Sequence, residues 1–145
     1  MMAVQELHEA VTKAALKTFE DFCGLVPTMK LDERHVKASF SAAVSVAFRK
    51  PASGVFIMTL SGDLPEAIAA GLTGSRDFTP QTRDDAVSEV ANIICGASGC
   101  HQLRPPVTAL GISGGFNPFA DVSVSIGFEG GRADIFLFLD RKPKN

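Results

Sequence analysis

From Val36 to Phe48 every second residue is apolar or small. Val36, Ala38, Phe40, Ala42, Val44, Val46 and Phe48 point one way, and Lys37, Ser39, Ser41, Ala43, Ser45 and Ala47 point the other. Period two makes this a long strand with one greasy face and one small, polar face. Such a strand has one side to bury, which suits an antiparallel sheet covered on a single face. Pro51-Ala-Ser-Gly54 supplies turn chemistry, and Val55 to Leu60 returns as a second strand. A later pair repeats the arrangement. Val122, Val124, Ile126 and Phe128 alternate, Glu129-Gly-Gly-Arg132 turns, and Ala133, Ile135, Leu137 and Leu139 alternate against Asp134, Phe136 and Phe138.

Helices fill the intervals. Val4, Leu7, Val11, Ala14, Ala15, Phe19 and Phe22 recur at steps of three and four, and Gly24 follows as a C-cap. Residues 63–72 read as a short helix, with Asp63 as N-cap and Pro65 in its first turn. Residues 83–98 read as a longer one, and residues 99–118 as an irregular Gly/Pro-rich connection. The order is helix, hairpin, two helices, hairpin. No β-α-β alternation is present, so a doubly wound parallel sheet is excluded. The expected fold class is α+β, an antiparallel sheet with helices packed on one face.

The chain has 145 residues, the length of one domain, expected to span 1–145. It is 46% apolar and 21% charged, too apolar for disorder and large enough to bury a core without metal or disulfide support. Net charge is −2, and the basic cluster of the tail, Arg141, Lys142 and Lys144, reads as a solvated end, so no face is built to neutralise phosphates. Trp and Tyr are absent, which removes the usual stacking platform for bases or sugars. No apolar run has the length of a membrane span, and Met1 to Leu7 lacks the regions of a secretory signal. Three cysteines, Cys23, Cys95 and Cys100, then fit a reduced, cytoplasmic chain.

The segment from Thr82 to Ala97 carries the chemistry. Thr82 with Asp85 reads as a capping box. At ~100° per residue, Asp85, Glu89, Asn92 and Gly96 fall on one narrow strip, with Ser88 at its edge, while Val87, Val90, Ala91, Ile93, Ile94 and Cys95 cover most of the rest. The plain reading is the solvated edge of an amphipathic helix. Composition favours a different one. Asn costs about 0.5 kcal/mol in a helix interior, and Gly about 1 kcal/mol, relative to Ala. A strip of Asp, Glu, Asn and Gly suits a partner surface that comes close, with an acid and an amide presented to it.

The spacing Asp85-x3-Glu89-x2-Asn92 resembles the signature of the CheC/CheX/FliY phosphatases of bacterial chemotaxis, and the run Asp85 to Gly96 looks like the CheX version of that helix. The order of elements is similar across nearly the whole chain. CheC-type proteins carry the signature on two helices. Here the first middle helix reads Asp63-Leu-Pro-Glu66-Ala-Ile-Ala69, with Ala where Asn is needed, which fits a single-site, CheX-like chain. The family's later Pro falls near Gly114 and Gly115 instead.

The resemblance implies a phosphatase acting on the phospho-aspartate of a CheY-like response regulator, Asn92 and Glu89 being its catalytic pair. Asn92 would position the attacking water, Glu89 would pair with the regulator's Lys, and Asp85 and Gly96 would complete the partner-binding face. No metal or cofactor of its own is implied, since Mg²⁺ is expected on the phosphorylated partner. A homodimer joined through the sheet is implied as well, with no nucleic acid and no membrane among its partners. The competing readings are a non-catalytic docking or switch module, and a small-ligand-binding α+β domain with a deep pocket beside the strip.

Other patterns lack their context. Gly111-Ile-Ser-Gly-Gly115 matches a nucleophile elbow, but no helix follows it. Cys95, Cys100 and His101 lack a fourth ligand and standard metal spacing.

Overall fold

The computed structural model describes residues 3–27, 40–50, 52–108 and 119–140. Its elements are α1 (Val4–Cys23), β1 (Phe40–Phe48), β2 (Gly54–Ser61), α2 (Leu64–Thr73), α3 (Pro80–Ala97), β3 (Val107–Thr108), β4 (Val122–Phe128) and β5 (Gly131–Leu139). The sheet order is β3-β1-β2-β5-β4, and every neighbouring pair is antiparallel. The fold class is α+β, as the one-sided strands require.

Alternation decides what is buried. Val44, Val46 and Phe48 of β1, Phe56, Met58 and Leu60 of β2, Ala133, Ile135 and Leu137 of β5, and Val122, Val124, Ile126 and Phe128 of β4 share one apolar core with the helices. α1 contributes Leu7, Val11, Ala14, Ala15 and Phe19 to it, spaced as its periodicity demands. Phe19 meets Phe128 edge to face at 5.0 Å, which fastens α1 to β4. α1 ends at Gly24, a left-handed C-cap at φ +68°. Its last residue packs closely on α2: a side chain at Gly71 would come within 2.5 Å of the Cys23 carbonyl oxygen.

Two sequence readings change. The described part of the connection after α3, residues 98–108, is more regular than its Gly/Pro content suggested. His101 donates to the Lys50 carbonyl at 3.1 Å and Leu103 to the Ala47 carbonyl at 2.8 Å, after which β3 pairs with Ser45 and Val44. The outer edge of β1 has backbone groups to satisfy, and this segment satisfies them. Pro105 and Pro106, lacking N–H donors, keep the pairing short. Residues 36–39 of the expected first strand and Gly111–Gly115 lie outside the described residues. Within β1 the register slips between Phe40 and Ala42, where the Ser41 hydroxyl donates to the Gly62 carbonyl at 3.0 Å.

The second change is on the sheet face away from the helices. Arg132 and Asp134, which alternation places with the polar set, are 1% and 2% exposed. Arg132 Nε donates to Asp134 Oδ2 at 2.7 Å, and Ser125 Oγ donates to Asp134 Oδ1 at 2.6 Å. Phe136, on the same face, is also buried. Breaking a buried pair leaves an uncompensated charge, which costs far more than replacing both partners. Asp134→Asn is therefore expected to lower stability by about 3–5 kcal/mol in urea unfolding, and Arg132→Met with Asp134→Leu to recover most of that loss.

Candidate functional site

α3 begins earlier than its polar pattern suggested. Thr79 is the N-cap, not Thr82: its hydroxyl oxygen accepts from the Thr82 N–H at 3.1 Å. Pro80 occupies the first helical position, where its fixed φ suits the helix and its missing N–H costs nothing. The Thr82–Asp85 capping box is thereby corrected. Asp85 sits in the second turn, where Gln81 Nε2 donates to its Oδ1 at 2.8 Å. Gln81 is a neighbour that sequence reasoning missed, although its i, i+4 spacing to Asp85 was open to view.

The buried side of α3 comprises Ala86, Val87, Val90, Ala91, Ile94 and Cys95, packed against α1, α2 and β1. Opposite them lie the four residues of the strip. Asp85, Glu89 and Gly96 are exposed, and Asn92 is half-buried. Ile93, expected in the core, is half-buried and borders the strip on one side, and Ser88 borders it on the other. The helix thus brings the four predicted residues together on one solvent-facing line. A carboxylate and an amide stand one turn apart on a rigid element, an arrangement able to accept from a water, donate to an anionic oxygen and pair with a cation.

Gly96 is informative because nothing in this chain calls for it. Its φ lies outside the left-handed region, and a Cβ built there meets nothing within 4 Å. The bare backbone is open toward solvent.

Three cavities lie elsewhere. One of 610 Å³ is framed by Cys23, Leu25, Glu66, Gly71, Arg76 and Phe78; one of 470 Å³ lies along α1; one of 250 Å³ lies between β1 and the start of α3, with Arg83 and Ser88 on its wall. None of these three is lined by Asp85, Glu89, Asn92 or Gly96. On α2, Glu66 accepts from Arg83 Nη1 at 3.3 Å, and Ala69 is buried, so the first middle helix presents no second acid–amide pair. Among the described residues no cluster of His, Cys, Asp and Glu is arranged to hold a metal ion, and no helix is long and apolar enough to cross a membrane.

Comparison with solved structures places this fold. The chemotaxis protein CheX from Desulfovibrio desulfuricans superimposes with a TM-score of 0.71 at 17% identity, over 93% of this chain and 99% of that one. The chain has the CheX fold. CheX from Borrelia burgdorferi, solved as a CheX–CheY–BeF3–Mg²⁺ complex, matches at a TM-score of 0.59 and 18% identity, over 92% of this chain and 97% of that one. Thermotoga maritima FliY matches at 0.58 and 16%, over 94% and 87%. No protein-family profile matches the sequence, and a search of curated proteins finds no relative. At these identities the likeness extends to the fold, and within the CheX fold the acid–amide strip is a property of this chain's own α3.

If Gly96 is kept for an approaching partner rather than for packing, Gly96→Ala should stabilise the isolated protein. The expected gain is about 0.5–1 kcal/mol, or about 2–4 °C in Tm by calorimetry. A loss of stability would mean that the chain itself needs the glycine.

Proposed function

We propose that this protein accelerates hydrolysis of the aspartyl phosphate on a CheY-like response regulator. The observation that carries this reading is the placement of Glu89 and Asn92 on the solvent-facing strip of α3 in a CheX fold. An exposed strip that lines none of these three cavities suits a macromolecular substrate better than a small one, which a concave pocket would enclose. The Borrelia CheX complex with CheY, BeF3 and Mg²⁺ supports a receiver of that kind as the partner.

The reaction needs a water in line with the phosphorus–oxygen bond of the acyl phosphate. The water oxygen bonds to phosphorus, the bond to the aspartyl oxygen breaks, and inorganic phosphate and a carboxylate leave. The Asn92 amide oxygen accepts from the water while its NH2 donates to a phosphoryl oxygen, so one uncharged group sets the angle of attack. The role parallels that of the glutamine that orients water in GTPases. Glu89 pairs with a lysine of the receiver and sets the register between the two proteins. Asp85, steadied by Gln81, extends the docking line. Gly96 lets the receiver approach the backbone. Divalent metal is the receiver's contribution.

The protein is expected to act as a homodimer joined through its sheet. β4 is a terminal strand whose residues, Val122 to Phe128, carry no charge. A long uncharged edge is a template for pairing unless it is covered.

The test is phosphate release from an acyl-phosphorylated, Mg²⁺-bound response regulator of the same source. Wild type should accelerate the loss, and Asn92→Ala should reduce the acceleration about a hundredfold with the fold intact. Glu89→Ala should raise the half-saturating concentration about tenfold, equivalent to about 1.4 kcal/mol of docking. If binding persists but no variant differs from buffer in phosphate release, the chain is a docking module that retains the fold.

A further inference from the structure

The C-terminal end of α3 carries a second chemistry, independent of the polar strip. The helix closes in a Schellman turn. Gly99, at φ +89°, is its left-handed residue. The Gly99 N–H donates to the Gly96 carbonyl at 3.0 Å, and the Cys100 N–H donates to the Cys95 carbonyl at 3.1 Å. In this turn the side chains at the two ends of the longer bond meet, ordinarily as a pair of apolar groups. Here both are cysteines. Cys95 and Cys100 are 0% and 3% exposed and belong to the same apolar core. The leading influence on each thiol's ionisation is side-chain hydrogen bonding to the other. Disulfides form where the two Cα atoms lie roughly 4.4–6.8 Å apart, a spacing that residues joined by such a backbone bond already meet.

We propose that Cys95 and Cys100 are a redox modification site, converted by hydroperoxide into an intrachain disulfide that staples the last turn of α3. The Cys100 thiolate attacks one peroxide oxygen. A sulfur–oxygen bond forms, the oxygen–oxygen bond breaks, and the departing hydroxide takes up the proton that the thiol released on ionising and leaves as water. Cys95 then attacks the sulfur of the Cys100 sulfenic acid. The sulfur–sulfur bond forms, the sulfur–oxygen bond breaks, and the Cys95 proton leaves with the oxygen as a second water. The two thiols lose two electrons and one peroxide gains them.

The division of labour follows from the shared hydrogen bond. It holds the Cys100 thiol below the ordinary thiol range, against the opposing effect of burial. The same bond, followed by burial, pushes Cys95 up. Cys100 is accordingly the attacking sulfur and Cys95 the resolving one. Cys100 is 3% exposed and stands between Gly99 and His101, both exposed, which puts the shorter route for an oxidant on the loop side. Cys23 is a lone thiol at the end of α1, pushed up to about 11 by burial, and serves as an internal control. The proposal stands whether or not the strip acts on a phosphorylated receiver.

The test is to treat the folded, reduced protein with hydrogen peroxide, alkylate the remaining thiols, and map the peptides without reduction. The expected product has lost two hydrogens, links Cys95 to Cys100, retains an alkylatable Cys23, and returns to the starting mass with dithiothreitol. Cys100→Ala should abolish the link, and Cys23→Ala should leave its yield unchanged, which keeps the result readable if the first variant folds poorly. Amide exchange over residues 96–100 should slow by about an order of magnitude in the linked form. The proposal is overturned if both thiols remain alkylatable in the folded chain after peroxide, if Cys100 stops at higher oxides without a link, or if the link forms only in denaturant.

Discussion

The structure depends on keeping one face of one sheet dry. Val44, Val46, Phe48, Phe56, Met58, Leu60, Ile135 and Leu137 all project from the same side, and among the described residues the three helices cover them. Burial of large aliphatic and aromatic side chains contributes roughly 1.5–3 kcal/mol each, so this layer outweighs every other contact described here. The same constraint fixes α3 in rotation. With Val90, Ala91, Ile94 and Cys95 turned to the sheet and to α1, the line Asp85, Glu89, Asn92, Gly96 has no direction left but outward. The candidate site is a consequence of the core rather than an addition to it.

Rigidity at both ends of α3 makes that line useful. The Thr79 cap and Pro80 define where the helix begins, and the Schellman turn through Gly99 defines where it stops. A group that must hold a water within hydrogen-bond reach of a phosphorus atom gains from such a mounting, since small displacements cost large factors in rate. The chain leaving the turn is then pinned to the edge of β1 through His101 and Leu103. The residues that present the amide, the exposed glycine and the two thiols are therefore parts of one short, anchored unit.

Much of this was legible in the sequence, for identifiable reasons. α1 was readable to both ends because its apolar spacing and Gly24 are local signals. The two hairpins were readable because alternation survives wherever one face is wet or carries small residues. Three features were not. The N-cap of α3 was placed at Thr82 because Asp85, three residues on, suggested a capping box, although Pro80 belongs at a helix's first position. β3 was hidden because a two-residue pairing has no period to detect. Burial of Arg132, Asp134 and Phe136 was hidden because alternation within a strand records which residues share a face, not how deeply that face is buried. The strip itself was fully visible as an angular count, while its exposure needed the fold.

The central claim is that the outward line of α3 is the face offered to an activated receiver domain. It is tested most directly by mapping backbone amide shifts of the folded protein as a Mg²⁺-bound, BeF3-activated CheY-like receiver is added. The account predicts perturbations centred on residues 85–96, extending to the residues bordering the strip, and much weaker ones with the unactivated receiver. Perturbations centred on the cavity beside α2, or equal responses to both receiver states, would contradict it.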